Sequence, residues 1–226
     1  MAAEIKNWEF KAGEVSAILV ETDAGGVTLV VAEGDSVKAE ITGEYSPDKC
    51  EITGEVKDGK LLLKAAAKKK LFWKGKVCQA GFKVYAPAGT KIVSKTGAGN
   101  VEVGAFSSGA DICVGAGNIK LAGLSGPIKI HIGAGDIKGD IYSEDMACKT
   151  GTGSLDLAWS KAPKAGKASI HAGMGMISLS FPSESKLNIK NSTGMGGFNS
   201  EIGSDPSAEF RLEIKNGMGS AGIKKT

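Results

Sequence analysis

The chain has 226 residues, a formal net charge of +3, 33 glycines and 6% aromatic residues. That length allows one elongated domain or two compact ones. No apolar run approaches the ~20 residues of a membrane span, so no membrane-crossing helix is predicted. Long amphipathic segments of 3.6-residue period are also missing.

The first residues, MAAEIKNWEF, carry Glu4 and no apolar stretch, so they do not read as a secretory signal. A cytoplasmic location follows as the expectation, with peripheral membrane attachment left open. Residues 1–16, with Trp8 and Phe10, read as a strand that covers an open sheet edge. Residues 17–42 hold Ile18 and Val20 before a turn at Thr22-Asp23-Ala24-Gly25-Gly26-Val27, then Val37, Ala39 and Ile41 in alternation. From Glu44 to Lys76 this period is lost. Cys50-Glu51-Ile52 and Leu61-Leu62-Leu63 read as strands of a meander, and Phe82 to Gly89 as a strand closed by a Pro/Gly turn.

From about Thr90 the pattern becomes regular. A Gly-x-Gly corner begins at Gly97, Gly115, Gly133 and Gly151, a period of 18 residues. With the first corner glycine numbered zero, positions −5, −3 and −1 are Ile128, Ile130 and Ile132 in one repeat, and Met146, Cys148 and Thr150 in the next. Positions +4 and +6 are Ile119 and Leu121, or Leu155 and Leu157. The residues between are mostly polar: Lys95, His131, Lys149, Glu102, Lys120 and Asp156. This is the period-2 alternation of strands with one buried face. Later corners begin at Gly173, Gly194 and Gly217. Loops holding Pro163, Pro182 and Pro206 lengthen those turns, and the charged tail Lys224-Lys225 suits a blunted edge. The +2 glycine is present in every copy: Gly25, Gly99, Gly117, Gly135, Gly153, Gly175, Gly196 and Gly219. A positive φ or a close backbone approach is predicted there.

One such turn cannot pay for its own ordering, so neighbouring turns must stack. The predicted fold is all-β: a single-stranded, right-handed β-solenoid of about seven or eight short rungs. It forms one elongated domain, with irregular capping rungs over residues 1–90 and regular repeats over 91–226. A hexapeptide coil is ruled out because the sixth position from Ile112 is Asn118.

The T-x-A-G-N-V corner at Thr96 to Val101, preceded by F-x-V-x-A-P-A-G at Phe82 to Gly89, resembles the bacterial "putative adhesin" β-solenoid domains, also called toastrack domains. The resemblance covers roughly residues 15–223. It implies a stacked β-coil without catalytic residues, and links to the cell envelope or to self-association.

The Gly-x-Gly corners do not make a nucleotide loop, since no helix follows them and no G-x-x-x-x-G-K-[ST] run occurs. The +3 column, Asn100, Asn118, Asp136 and Ser154, has one carboxylate and does not make a calcium ladder. His131 and His171 share an outward column with Lys149 between them, roughly 10 Å apart, too far for one metal. Cys113 beside His131 gives two ligands at most. No metal, no cofactor, no small-molecule substrate and no catalytic residue is predicted. Cys148 faces in and Cys113 out. Cys50 and Cys78 could pair, but a cytosolic setting favours four thiols. Met174, Met195 and Met218 replace Ala or Thr at +1 and are expected to fill a coil cross-section that widens as the repeats lengthen.

The segment from Lys60 to Lys76 holds seven lysines and no acid, which leaves −4 for the rest of the chain. Its candidate contacts with an anionic membrane are Lys68, Lys69, Lys70, Phe72, Trp73, Lys74 and Lys76, and nucleic acid suits this mix of residues less well. The functional expectation is a non-enzymatic scaffold or binding module with a protein partner or self-association. An end-to-end polymer is the alternative, and an enzyme with a site in residues 44–90 is the third reading.

Overall fold

The computed structural model describes residues 7–68 and 78–226. They are all-β, with one 3-10 turn at Ala12–Glu14. The irregular region supplies β1 (Asn7–Lys11), β2 (Ala17–Ala24), β3 (Val27–Val31), β4 (Ser36–Thr42), β5 (Cys50–Lys57), β6 (Lys60–Ala67) and β7 (Gly81–Ala86). The repeats then supply two strands each: β8 (Lys91–Ala98) and β9 (Val101–Val103), β10 (Ala110–Ala116) and β11 (Ile119–Ser125), β12 (Ile128–Ala134) and β13 (Ile137–Tyr142), β14 (Asp145–Thr152) and β15 (Leu155–Trp159). Three further pairs complete the chain: β16 (Gly166–Met174) with β17 (Ile177–Phe181), β18 (Asn188–Met195) with β19 (Phe198–Ser200), and β20 (Phe210–Met218) with β21 (Ala221–Lys225).

The two strands of a repeat do not share a sheet. The first joins a 10-stranded sheet, β18-β20-β16-β14-β12-β10-β8-β2-β6-β5, and the second an 11-stranded sheet, β1-β4-β7-β3-β9-β11-β13-β15-β17-β21-β19. Neither closes into a barrel. Equivalent positions of successive repeats pair in parallel, Ile112 with Ile130 and Ile130 with Cys148. Inward columns therefore stack like on like, and the core runs between the sheets through Ile18, Ile92, Ile112, Ile130, Cys148, Ile170 and Ile214.

Rungs are not stacked in chain order. The last rung, β20/β21, lies between β16/β17 and β18/β19. The charged tail is thus no blunted edge, as the sequence suggested; β21 is paired on both sides, and β18/β19 forms the end of the stack. At the other end β2/β3 lies between β6/β7 and β8/β9. That end is closed by antiparallel strands, β5 on β6 and β1 on β4 on β7. Residues 7–11 do form an edge strand, as predicted, and Trp8 lies across Gly54 with its ring 6.2 Å from that of Phe82.

The corners bring successive turns of backbone into close contact. All eight +2 glycines have φ between +122° and +151°. A Cβ on Gly117 would fall on the carbonyl oxygen of Gly99, and one on Gly135 would fall on that of Gly117. The +3 side chains staple the same corners from outside. Asn100 Oδ1 accepts the N–H of Asn118 at 2.9 Å, Asn118 Oδ1 that of Asp136 at 3.0 Å, and Asp136 Oδ1 that of Ser154 at 2.7 Å.

One cysteine expectation is overturned. Cys50 and Cys78 form a disulfide, with Cα atoms 5.2 Å apart. Sequence reasoning favoured thiols from an inferred compartment, whereas β5 and the start of β7 bring the two residues together. Cys113 is exposed and free; Cys148 is buried, and burial pushes its thiol up to about 12.

Two outcomes are expected. Gly117→Val should lower stability by at least about 1–3 kcal/mol through its positive φ alone, with steric overlap adding to that, whereas Ala116→Ser, on the exposed side of the corner, should stay within about 0.5 kcal/mol; equal melting temperatures would refute the stacked corner. Reducing the Cys50–Cys78 bridge, which closes a loop of 28 residues in separation, should remove about 2–4 kcal/mol. Calorimetry with and without a phosphine reductant measures it, with Cys113→Ser as the silent control.

Candidate functional site

The basic segment divides in two. Its first half is a core strand: in β6, Leu61, Leu63 and Ala65 are buried while Lys60 and Lys64 face solvent. Lys69, Lys70, Leu71, Phe72, Trp73, Lys74 and Lys76 lie outside the described residues. The residues on either side of them, Lys68 and Cys78, are described. The Lys68 N–H donates to the Lys49 carbonyl at 2.8 Å, and Lys68 Nζ donates to the Pro47 carbonyl at the same distance. Cys78, on the return side, is bonded to Cys50, the neighbour of Lys49. The segment thus starts and ends on one spot at the capped end of the stack. A cleft of about 340 Å³ lined by Ile41, Tyr45, Pro47, Ile52 and Lys68 adjoins it.

Outward positions of the 10-stranded sheet form ladders. The −2 column runs Lys64, Glu21, Lys95, Cys113, His131, Lys149, His171, Lys215 and Ser192 in spatial order. The two histidines are therefore separated by the Lys149 rung, as the repeat numbering required. Partial burial and then the Lys215 ammonium hold His171 below its ordinary value. Among the described residues no group of three or more His, Cys, Asp or Glu is placed to hold a metal ion. The cations are interrupted by acids that pair with them: Lys95 with Glu21 at 3.0 Å, and Glu213 with Lys215 at 2.7 Å and Lys167 at 3.0 Å. Hydrogen bonds from Lys215 and then Lys167 pull the Glu213 carboxyl down to about 2.

The corner ridge differs from the sequence expectation. Met174, Met195 and Met218 do not fill the interior; they are 49%, 62% and 42% exposed. The extra residues of the longer repeats lie in the return connections, at 160–165, 182–187 and 201–209, so the corner keeps its width. Position +1 stays on the outside of the bend, where Ala98, Ala116 and Ala134 are also exposed. Two exposed apolar residues escaped the sequence reading, Met176 at 58% and Phe198 at 36%. Met176 could have been noticed, since it alone breaks a +3 column of Asn, Asp, Ser and Gly. Phe198 sits in an inward column and is uncovered only because its rung ends the stack.

No family model matches this chain, and no curated protein matches it. Solved structures do resemble it over nearly its whole length. One from Bacteroides fragilis, described as a putative adhesin, is 16% identical over 98% of each chain with a TM-score of 0.49. A Parabacteroides distasonis structure described as a putative lipid binding protein is 17% identical over 100% of this chain and 98% of its own, with a TM-score of 0.42. A putative cell adhesion protein from Clostridium sporogenes is 13% identical over 99% of this chain and 100% of its own, with a TM-score of 0.39.

The Glu213 cluster yields a pH signature. Its carboxyl is depressed in the folded state, so its contribution is complete above the unfolded value near 4.3 and fades as pH falls toward about 2. The melting-temperature gap between wild type and Glu213→Gln should therefore close between about pH 5 and pH 2. A gap that stays constant over this range would remove the cluster from the stabilising interactions.

Proposed function

We propose that this chain is a non-enzymatic β-solenoid module that docks on an anionic membrane surface through residues 68–76. The observation behind this reading is the concentration of basic charge, with Leu71, Phe72 and Trp73 inside it, in a segment whose two ends are tied together at Cys50. Tying the ends lowers the entropy cost of presenting the segment, and lysines flanking an aromatic group match an anionic headgroup layer above an apolar interior. The disulfide also favours an oxidising compartment over the cytosol as the working location.

End-to-end polymerisation is the weaker reading. Among the described residues β18 and β19 have strand partners on one side only, which leaves a free edge. The inward positions of that rung, however, are Ile189, Asn191, Thr193, Phe198 and Ser200, three of them polar, and Asn191 and Ser200 stand where most other rungs carry an apolar residue. A mostly polar terminal rung suits a solvated cap. Light scattering that grows without limit with concentration would reinstate the polymer.

Each surface lysine contributes about 1 kcal/mol near an anionic membrane, and salt screens that attraction, whereas aromatic burial is insensitive to salt. Lys68, Lys69 and Lys70 changed together to Ser should thus weaken co-sedimentation with phosphatidylserine liposomes by a salt-dependent amount. Changing Phe72 and Trp73 to Ala should remove the salt-resistant remainder. If wild-type protein stays in the supernatant at low salt, the membrane reading fails. A fall in melting temperature on removing the two aromatics, with no change in sedimentation, would assign them to packing instead.

A further inference from the structure

We propose that Met174, Met218 and Met195, with Met176 beside them, form a thioether site for a soft monovalent cation, Cu(I) or Ag(I). The three +1 methionines occupy three consecutive rungs, because β20 is inserted between β16 and β18: Met174 pairs with Met218, and Met218 with Met195. The order along the stack is therefore Met174, Met218, Met195, which differs from the order along the chain. Parallel in-register strands are spaced about 4.8 Å apart and send equivalent side chains in the same direction.

The reach is sufficient. The outer two Cβ atoms lie roughly 10 Å apart, and a flexible methionine carries its sulfur about 3 Å along the stack, which brings the outer sulfurs to about 4 Å, with the central one offset to complete a triangle. That is the spacing of three sulfurs around one small ion. Glycines flank each of these methionines on both sides, at 173 and 175, 217 and 219, and 194 and 196, so no neighbouring side chain in the corner blocks the convergence.

Ligand chemistry selects the ion. The corner offers thioethers and neutral backbone, with no carboxylate or imidazole in its Gly-Met-Gly triplets, so a hard divalent cation finds no oxygen set there. Thioethers are soft donors and favour Cu(I) over Zn(II), Mg(II) or Ca(II). Four of the chain's six methionines fall in this patch. All four are 42% exposed or more, whereas Met146, in an inward column, is 2% exposed. A merely apolar ridge would be served by any aliphatic residue; the sulfur is what these positions share.

Silver titration of protein labelled with 13C at the methionine methyls tests the site. Ag(I) needs no reductant, so the Cys50–Cys78 bridge stays closed, and Cys113→Ser removes the exposed competing thiol. In chloride-free buffer one equivalent of silver nitrate should shift the methyl signals of Met174, Met195 and Met218 and leave that of Met146 in place. M174L, M195L and M218L combined in the same background keep the size and apolarity of the side chains and delete the sulfur; this variant should keep its melting temperature and bind silver roughly 100-fold more weakly. Unmoved methyl signals at one equivalent, or silver binding by the leucine variant as tight as that of its parent, would overturn the proposal.

Discussion

Backbone contact at the glycine corners is the constraint from which the other features follow. Each +2 glycine adopts a positive φ and sits so close to the next corner that a Cβ would overlap a carbonyl: Gly99 over Gly25, Gly117 over Gly99, and so on to Gly219 over Gly175 and Gly196 over Gly219. Contact at that distance leaves no freedom to slip by one residue, and a one-residue slip would turn every buried side chain outward. Because the corner is fixed, Ile112, Ile130, Cys148 and Ile170 fall into one column on the 10-stranded sheet, and Ile119, Ile137, Leu155 and Ile177 into another on the facing sheet. The same geometry leaves only +1 and +3 to project from the bend. Over most of the stack those positions hold Ala and the Asn/Asp staple; at one end they hold methionine. Scaffold and display surface are thus two sides of the same turn.

The two ends are built from different chemistry. At one end, antiparallel strands replace the parallel ladder, and Trp8, Phe10, Ile52 and Val56 pack partly buried against the core. The disulfide adds a covalent tie where the chain leaves the repeat period. At the other end β18/β19 exposes Asn191, Thr193 and Ser200 at inward positions, with Phe198 uncovered beside them, so the stack stops at a mostly polar face instead of under a covering strand. Both terminal segments with a glycine corner, β2/β3 and β20/β21, are moved one place inward and paired on both sides. Strands near chain ends fray easily when they lie at an edge; here the ladders on each side hold them.

Repetition explains why so much of this arrangement was readable. The 18-residue period, the alternation around each corner and the invariant +2 glycine give the same information several times over, so strand positions, the inward set and the outward column of His131, Lys149 and His171 could be assigned from residues alone. Where repetition stopped, reading became unreliable. Cys50 and Cys78 belong to the non-periodic region, and their pairing depends on how β5 returns along β6, which no local pattern encodes. The methionines were visible as a break in the +1 column. Their direction was misjudged because lengthening of a repeat was assigned to the corner when it occurs in the opposite connection.

The sequence by itself determined the all-β class, the spacing of the corners, which residues face the core and where basic charge concentrates, because each of these is a local rule repeated along the chain. Only the tertiary structure decided the order in which rungs stack, the division of each repeat between two sheets, the disulfide and the exposed methionine triad. Those depend on which rung lies beside which. A strand's pairing preference is nearly the same toward any similar repeat, so the neighbour is chosen by the long connections and the end caps, through contacts between residues far apart in the chain.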